Sequence, residues 1–278
     1  MVCCRIWLGV TLSMVGVFAA VAAAEATTRL AEVMPAAPAA APAEGPLLIH
    51  LPGIAGYRHC DQRLLAGLAN GGVAAAIVVY DWTDNDPGFH ALCAWDRNHA
   101  EAQKIANMIV AHTRADPASP IYLTAHSGGC GVAVWALEKL PDHVMVDTVL
   151  LLAPALSPQY DLSAALRHVR GRAYAFTSRY DGLVLCTGTQ MFGTIDGVMC
   201  EAAGYGGFVR PPRGDPELYK RLVQRSYDVQ WAKLGNWGDH LGTTSRRFSA
   251  VILAPLLREA VADPATRPDE PTNDHVAP

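Results

Sequence analysis

Short apolar runs alternate with amphipathic segments through the middle of the chain. The apolar runs have the length and the aliphatic character of buried strands, and they lie at 47–51, 74–80, 121–124, 146–152 and 173–177. Apolar residues with helical spacing follow these runs, in 61–70, 97–114, 128–140 and near 160–170. Strands that are apolar on both faces and alternate with helices are typical of a parallel sheet. The pattern therefore predicts an α/β fold, with a mostly parallel sheet of about six strands flanked by helices on both faces.

This alternation stops after Asp181. Residues 182–214 are rich in glycine and contain exposed-looking aromatic residues, which favours a loop or cap insertion facing the substrate over a merely structural excursion. The pattern then predicts a helix over 216–225 and a last helix from Thr243 or Thr244, which Pro255 kinks or ends.

The two ends of the chain differ in composition from its middle. Residues 1–26 have a basic start, an uncharged apolar run and small residues up to Ala24, as in a cleaved signal peptide. The alternative is a retained membrane anchor, because the apolar run approaches the roughly 20 residues that span a bilayer. Alanine and proline dominate 27–45, which predicts a linker, and the polar residues 263–278 predict a disordered tail. The folded domain is thus expected over 46–262, exported to the cell exterior or the periplasm, or anchored with an extracytoplasmic domain.

Composition and charge narrow the possible functions. Hydrophobic residues make up 51% of the 278 residues and charged residues 17%, so the chain can bury a large core. The formal net charge is −4, and no basic stripe indicates nucleic-acid binding. We find no phosphate-binding glycine loop ending in Lys-Ser/Thr and no zinc motif, so no metal or nucleotide cofactor is expected. A membrane would be a partner only if the leader is retained.

Export would place the cysteines in an oxidising compartment. Of the seven cysteines, two lie in the leader, which leaves an odd number. This count suggests two disulfides, with Cys186–Cys200 and Cys60–Cys93 as candidate pairs, and a buried free thiol at Cys130. The connectivity is a hypothesis.

The stretch 121–131 (IYLTAHSGGCG) joins a predicted strand directly to a predicted helix. Ser127 lies at the bend, with the small residues Ala125 and Gly129 on either side of it. The stretch resembles the nucleophile elbow of the α/β-hydrolase superfamily, in which a serine at such a bend is the nucleophile. Alanine stands at 125 where that family usually has glycine, and a side chain this small should fit the bend.

The resemblance implies an acid and then a histidine, in that order, after the serine. Asp181 follows the strand that ends at Thr177 and is the expected acid, although Asp-Gly is also a common turn dipeptide. Asp161 is the reserve candidate. Among the ten histidines, His240 lies after the acid in a loop between two glycines and is the expected base. His126 adjoins the serine, but its side chain should point away from it.

The resemblance also implies an oxyanion hole formed by two backbone N–H groups. One is expected from Gly128, directly after the serine. The other is expected from Ile54, in the glycine-containing loop after the first strand. Tyr57 and Trp82 are candidates for lining an acyl pocket, and both are equally well explained as packing residues.

The sequence therefore predicts an exported serine hydrolase, most simply an esterase of lipase-like type, that needs no cofactor. Three alternatives stay open. An amidase, a peptidase or an acyltransferase would use the same fold and the same residues. A catalytically silent binding protein of this fold would be expected to lack a member of the serine–acid–histidine triad, whereas all three are present. A membrane-tethered interaction protein would require the leader to be retained.

Overall fold

The computed structural model describes residues 44–258. The predicted leader, the predicted tail and nearly all of the predicted linker lie outside this range. Across the described residues, no helix has both the length and the apolar character needed to span a membrane.

Six strands form one sheet in which every neighbouring pair is parallel. They are β1 (Leu47–Leu51), β2 (Ala76–Val79), β3 (Ile121–His126), β4 (Val146–Leu152), β5 (Val169–Thr177) and β6 (Leu222–Ser226). Across the sheet the order is β2-β1-β3-β4-β5-β6. The chain moves outward from β1 to β2 and then in the opposite direction from β3 to β6. This reversal opens a crevice at the carboxyl ends of β1 and β3, where open α/β sheets bind ligands.

Helices follow most of the strands. The α-helices are α1 (His59–Asn70), α2 (Phe89–Cys93), α3 (Trp95–Ala115), α4 (Gly129–Glu138), α5 (Ser163–Arg167), α6 (Thr189–Phe192), α7 (Ala203–Gly206), α8 (Pro216–Tyr219), α9 (Arg246–Phe248) and α10 (Ala254–Arg258). The wider π-helical turns are Gly182–Gly188 and Ser249–Leu253, and the 3₁₀ turns are Val229–Leu234 and Gly242–Thr244.

Two separate cores cover the two faces of the sheet. Alternate side chains of β1 point to opposite faces, because the side-chain period of a strand is two. Ile49 belongs to the core that includes Trp135 of α4, whereas Leu48 packs in the core that includes Leu64 of α1 and Phe248 of α9. Helices therefore flank both faces, which confirms the predicted fold class.

The segment 216–225, predicted as one helix, is divided in the structure. Helix α8 ends at Tyr219 and the edge strand β6 begins at Leu222. Because β6 is only partly buried, its sequence LVQRS contains both apolar and charged residues and has no continuous apolar run. The sequence criterion used for buried strands therefore missed it.

The C-terminal helix continues through Pro255 instead of ending there. Pro255 lies in the first turn of α10, and the chain just before it, Ser249–Leu253, forms a π-helical turn. Proline has no N–H, so the carbonyl group four residues earlier receives no α-helical hydrogen bond from it. The widened turn accommodates this missing bond and lets the helix pack on α1.

Candidate active site

Ser127 occupies the bend between β3 and α4 in a strained backbone conformation. Its φ is 53°, in the left-handed region that residues other than glycine rarely adopt. Its N–H donates to the carbonyl of Leu152 at 2.9 Å, and its own carbonyl accepts from Cys130 at 3.1 Å and from Ala155 at 3.2 Å. These bonds hold the strained residue from both sides, which is the condition under which such strain persists at functional sites.

The bend requires glycine because β1 ends directly against it. A Cβ on Gly129 would lie 2.7 Å from the carbonyl oxygen of Leu51 and would overlap that of Pro52. A Cβ on Gly128 would lie 2.7 Å from the side chain of Ile54. The close approach brings the loop after β1 against the serine.

The side chains of Ser127, His240 and Asp181 form a continuous hydrogen-bonded chain. Nε2 of His240 lies 3.0 Å from Oγ of Ser127, and Nδ1 of His240 lies 2.6 Å from Oδ2 of Asp181. With Nδ1 donating to the carboxylate, Nε2 is free to accept the hydroxyl proton of the serine. The Asp181 side chain is 3% exposed and that of His240 is 18% exposed, so water has little access to their hydrogen bond. The structure thus brings together the three residues selected from the sequence; their catalytic role remains a prediction.

Two backbone N–H groups lie near the serine: one belongs to Gly128, the next residue in the chain, and the other to Ile54 in the loop after β1. In the part of the chain that the structure describes, the N–H groups of Ile54 and Gly128 donate to no protein acceptor. The loop itself is fixed, because the Ile54 carbonyl accepts from Gly88 at 2.6 Å and the Pro52 carbonyl accepts from the indole N–H of Trp82 at 2.7 Å. Two free donors on a fixed backbone are what an oxyanion hole requires.

The two residues proposed as pocket lining both pack against other parts of the protein. Trp82 is fully buried, and its indole holds the loop after β1 through Pro52, so it offers no surface to a substrate. Tyr57 is partly buried and packs against the core that contains Leu64. For both residues the structure favours the packing role that the sequence left open.

Neither predicted disulfide forms among the residues that the structure describes. The thiol of Cys60 faces the Asp61 carboxylate at 3.6 Å. The thiol of Cys186 faces the Glu201 carboxylate at 3.6 Å, and Cys93 is exposed. Cys130 is buried as predicted, and burial raises its pKa well above the ordinary thiol value. Its protonated Sγ donates to the carbonyl of Ala125 at 3.3 Å, which identifies it as a packed neighbour of the bend.

Two residues of the site were not selected from the sequence. Ile195, within the 182–214 insertion, is buried, and its side chain lies 3.5 Å from the position of a Cβ on Gly128. Nε2 of His126 donates to the backbone carbonyl of His240 at 2.9 Å. Both contacts are long-range in sequence, and no local motif indicates them. Among the described residues, no group of three or more His, Cys, Asp or Glu side chains could hold a metal ion.

Comparisons with known proteins found similarity among solved structures alone. No protein-family model and no curated protein match the sequence. Aspergillus fumigatus lipase B matches with a TM-score of 0.48 and 11% identity over 77% of this chain and 52% of that chain, so this chain spans about half of its length. A cutinase-like protein from Cryptococcus sp. matches with a TM-score of 0.43 and 12% identity over 81% of this chain and 98% of its own. Est1E from Butyrivibrio proteoclasticus matches with a TM-score of 0.45 and 13% identity over 80% of this chain and 90% of its own.

The sheet and its loops give this chain an α/β-hydrolase fold. Ser127 follows β3 at a strand–bend–helix junction, Asp181 follows β5, and His240 follows β6. All three lie at the carboxyl edge of one parallel sheet and in the chain order serine, acid, histidine that belongs to this fold.

Proposed function

We propose that this protein is a serine hydrolase that cleaves carboxylic esters through an acyl-enzyme. One observation carries the proposal: the hydrogen-bonded chain from Asp181 through His240 to Ser127, with the serine at a strained bend. A serine hydroxyl is a weak nucleophile at neutral pH and needs a base that is itself oriented by a third group. The distances of 2.6 and 3.0 Å supply both requirements.

In the first half of the reaction, Oγ of Ser127 attacks the ester carbonyl carbon while Nε2 of His240 takes the hydroxyl proton. The negative charge moves to the carbonyl oxygen, which accepts hydrogen bonds from the N–H groups of Ile54 and Gly128. The carbon–oxygen bond to the alcohol then breaks, and the alcohol leaves with the proton from His240. The products of this half are a free alcohol and an acyl group on Ser127.

Water completes the cycle. His240 removes a proton from a water molecule, which attacks the acyl carbonyl in the same oxyanion hole. Collapse of this second intermediate returns the proton to Oγ of Ser127 and releases the carboxylic acid. Asp181 stays ionised throughout; it keeps the imidazole in the required tautomer and stabilises the imidazolium that forms twice per cycle.

Ester turnover tests the proposal. The purified protein should hydrolyse p-nitrophenyl esters of short or long acyl chains, and Ser127→Ala should lower kcat by roughly 10⁴–10⁶ with its circular dichroism unchanged. Ser119→Ala is a matched control. The hydroxyl of Ser119 donates to the carboxylate of Asp116 in the loop before β3, at the amino ends of the strands and away from the proposed active site. If Ser127→Ala kept more than a tenth of the activity, Ser127 would be a structural residue.

The same assay separates the alternatives with this fold. Added alcohols or amines would yield transfer products if the protein is an acyltransferase, and peptide or anilide substrates would be cleaved if it is an amidase. A catalytically silent binding protein would turn over none of them.

We also propose export of the protein, on the composition of residues 1–26. Mass spectrometry of the protein from a secreting host should find the mature N-terminus near Glu25. An intact N-terminus in the membrane fraction would instead support a retained anchor.

A further inference from the structure

His126, a buried histidine outside the predicted triad, lies behind the predicted base. It is the last residue of β3 and its side chain is almost inaccessible, with 4% of the residue exposed. Nε2 of His126 donates to the backbone carbonyl oxygen of His240 at 2.9 Å, and the centres of the two imidazole rings are 4.9 Å apart. A buried polar side chain is therefore committed to the backbone of the residue that takes the proton.

The backbone of His126 is fixed on a rigid element. It pairs with Leu152 of β4, and the preceding Ala125 pairs with both Leu51 of β1 and Leu151 of β4. The ring also reaches the loop that carries Ile54, one of the two proposed oxyanion donors, because Nδ1 lies 3.2 Å from the position of a Cβ on Gly53. One imidazole thus fills the space between the loop of the base and the loop of the oxyanion hole.

The internal hydrogen bonds of the loop that carries His240 are made on either side of this residue: the N–H of Gly238 donates to Oδ1 of Asn236 at 2.9 Å, and the N–H of Gly242 donates to the carbonyl of Asp239 at 3.0 Å. The loop runs between Gly238, with φ of 80°, and Gly242, and glycine on either side favours backbone mobility. Within residues 44–258, the backbone of His240 makes no hydrogen bond other than the one from His126. The position of the imidazole therefore depends on this contact and on its own bonds to Asp181 and Ser127.

We propose that His126 is a positioning residue: it holds the backbone of His240 so that the imidazole stays between the carboxylate of Asp181 and the hydroxyl of Ser127. This inference rests on the proposed serine-hydrolase function. Catalytic groups displaced by about 1 Å can lose about 10²-fold in rate, so a hydrogen bond that fixes the base affects turnover more than substrate binding.

The protonation state of His126 agrees with this role. Burial, and then the neighbouring His240, lower the pKa of His126 to about 4. At neutral pH the ring is therefore uncharged, with its proton on Nε2 because that nitrogen faces a carbonyl oxygen. A neutral donor holds the His240 loop without placing a second positive charge beside the imidazolium that forms during the reaction.

Two variants of similar shape isolate the hydrogen bond. In His126→Gln the amide nitrogen lies near the position of Nε2 and can donate to the same carbonyl, whereas His126→Met has nearly the same length and no donor. We expect His126→Met to lower kcat by about 30–100-fold with KM within about threefold of wild type. His126→Gln should keep at least about a third of the wild-type kcat.

His168 provides a matched control for the loss of a buried histidine. It is 5% exposed and directly precedes β5, so it lies at the amino ends of the strands, away from the predicted active site. Its Nδ1 donates to the carbonyl of Val144 at 2.9 Å. His168→Leu should lower the melting temperature about as much as His126→Met and leave kcat unchanged. An equal fall in kcat in both variants would assign the effect to general destabilisation and overturn the proposal.

Hydrogen exchange supplies a readout that does not require esterase activity. Amides of residues 236–242 should exchange about tenfold faster in His126→Met than in wild type, and at near wild-type rates in His126→Gln. If wild type cleaves no ester, the proposed function fails, and the exchange rates still decide whether His126 holds the loop. Equal exchange in all three proteins, or equal kcat in the Gln and Met variants, would overturn the positioning role.

Discussion

Replacing Asp181 by asparagine measures what the carboxylate contributes to the site. In the wild type, Oδ2 of Asp181 lies 2.6 Å from Nδ1 of His240. Asparagine keeps the shape of the side chain but presents a neutral amide to Nδ1 in place of the carboxylate. If the amide NH₂ faces the ring, Nδ1 becomes an acceptor, the proton moves to Nε2, and Nε2 can no longer accept from Ser127. In either orientation no negative charge stabilises the imidazolium, and at 3% exposure water cannot substitute for it. We therefore expect kcat to fall by about 10³–10⁴, which is about 4–5.5 kcal/mol of transition-state stabilisation.

The assay is steady-state hydrolysis of a p-nitrophenyl ester, with kcat and KM determined separately. KM should stay within about threefold, because Asp181 is not expected to touch the substrate. Asp239→Asn is the control. Asp239 is an exposed residue of the loop that carries His240, and loss of its charge should change kcat less than about twofold. If Asp181→Asn kept more than a tenth of wild-type kcat, the acid would lie elsewhere. Asp161 is a poor substitute, since its exposed carboxylate accepts from the N–H and hydroxyl groups of Ser163.

Three further predictions concern residues outside the proposed triad. Trp82→Phe removes the N–H group that holds the Pro52 carbonyl and should lower kcat about tenfold. An unchanged kcat would show that this hydrogen bond does not position the oxyanion hole. Gly129→Ala forces a methyl group against the end of β1 and should lower the free energy of unfolding by about 2–4 kcal/mol in denaturant titrations, whereas full stability would contradict the close approach. Burial raises the pKa of Glu138 from 4.5 to about 7. Its stabilising contribution is therefore complete below pH 4.5 and is lost as the pH rises through about 7. Glu138→Gln should thus match wild type near pH 4 and be more stable by at most about 3 kcal/mol at pH 8; a difference independent of pH would refute this.

The central strands were predictable because burial on both faces leaves a continuous apolar sequence. Strands β1, β3 and β4 are fully buried, and their sequences LLIHL, IYLTAH and VDTVLLL are mostly aliphatic. The edge strands lack this constraint. Strand β6 is only partly buried and contains polar residues, so the sequence did not predict it. Strand β2 was predicted, because its sequence AIVV is apolar even though Ile77 is 37% exposed.

Two members of the proposed triad were predictable because each follows a predicted strand: in a parallel sheet all carboxyl ends meet at one edge, so Ser127 and Asp181 could be placed together before any distance was known. His240 was selected by its position after the acid in the chain, because β6, the strand that precedes it, was predicted as a helix. The contact from His126 to His240 was not predictable, because it joins residues 114 positions apart through a backbone carbonyl, which leaves no residue-type signal.

The roles of Trp82 and the cysteines depend on tertiary packing in the same way. A tryptophan after a strand can face a pocket or the interior, and only the path of the loop after β1 places its indole under Pro52. Cysteine counts favoured disulfides because export was assumed, yet in the folded chain Cys186 faces the carboxylate of Glu201.

Covalent labelling of the serine tests the central claim most directly. The protein is treated with a fluorophosphonate, digested, and mapped by mass spectrometry, in parallel with Ser127→Ala and Asp181→Asn. The account predicts a single adduct on the peptide that contains Ser127, none in Ser127→Ala, and much slower labelling in Asp181→Asn. An adduct on any other residue, or no adduct on a folded wild-type protein, would contradict the assignment of Ser127 as the nucleophile.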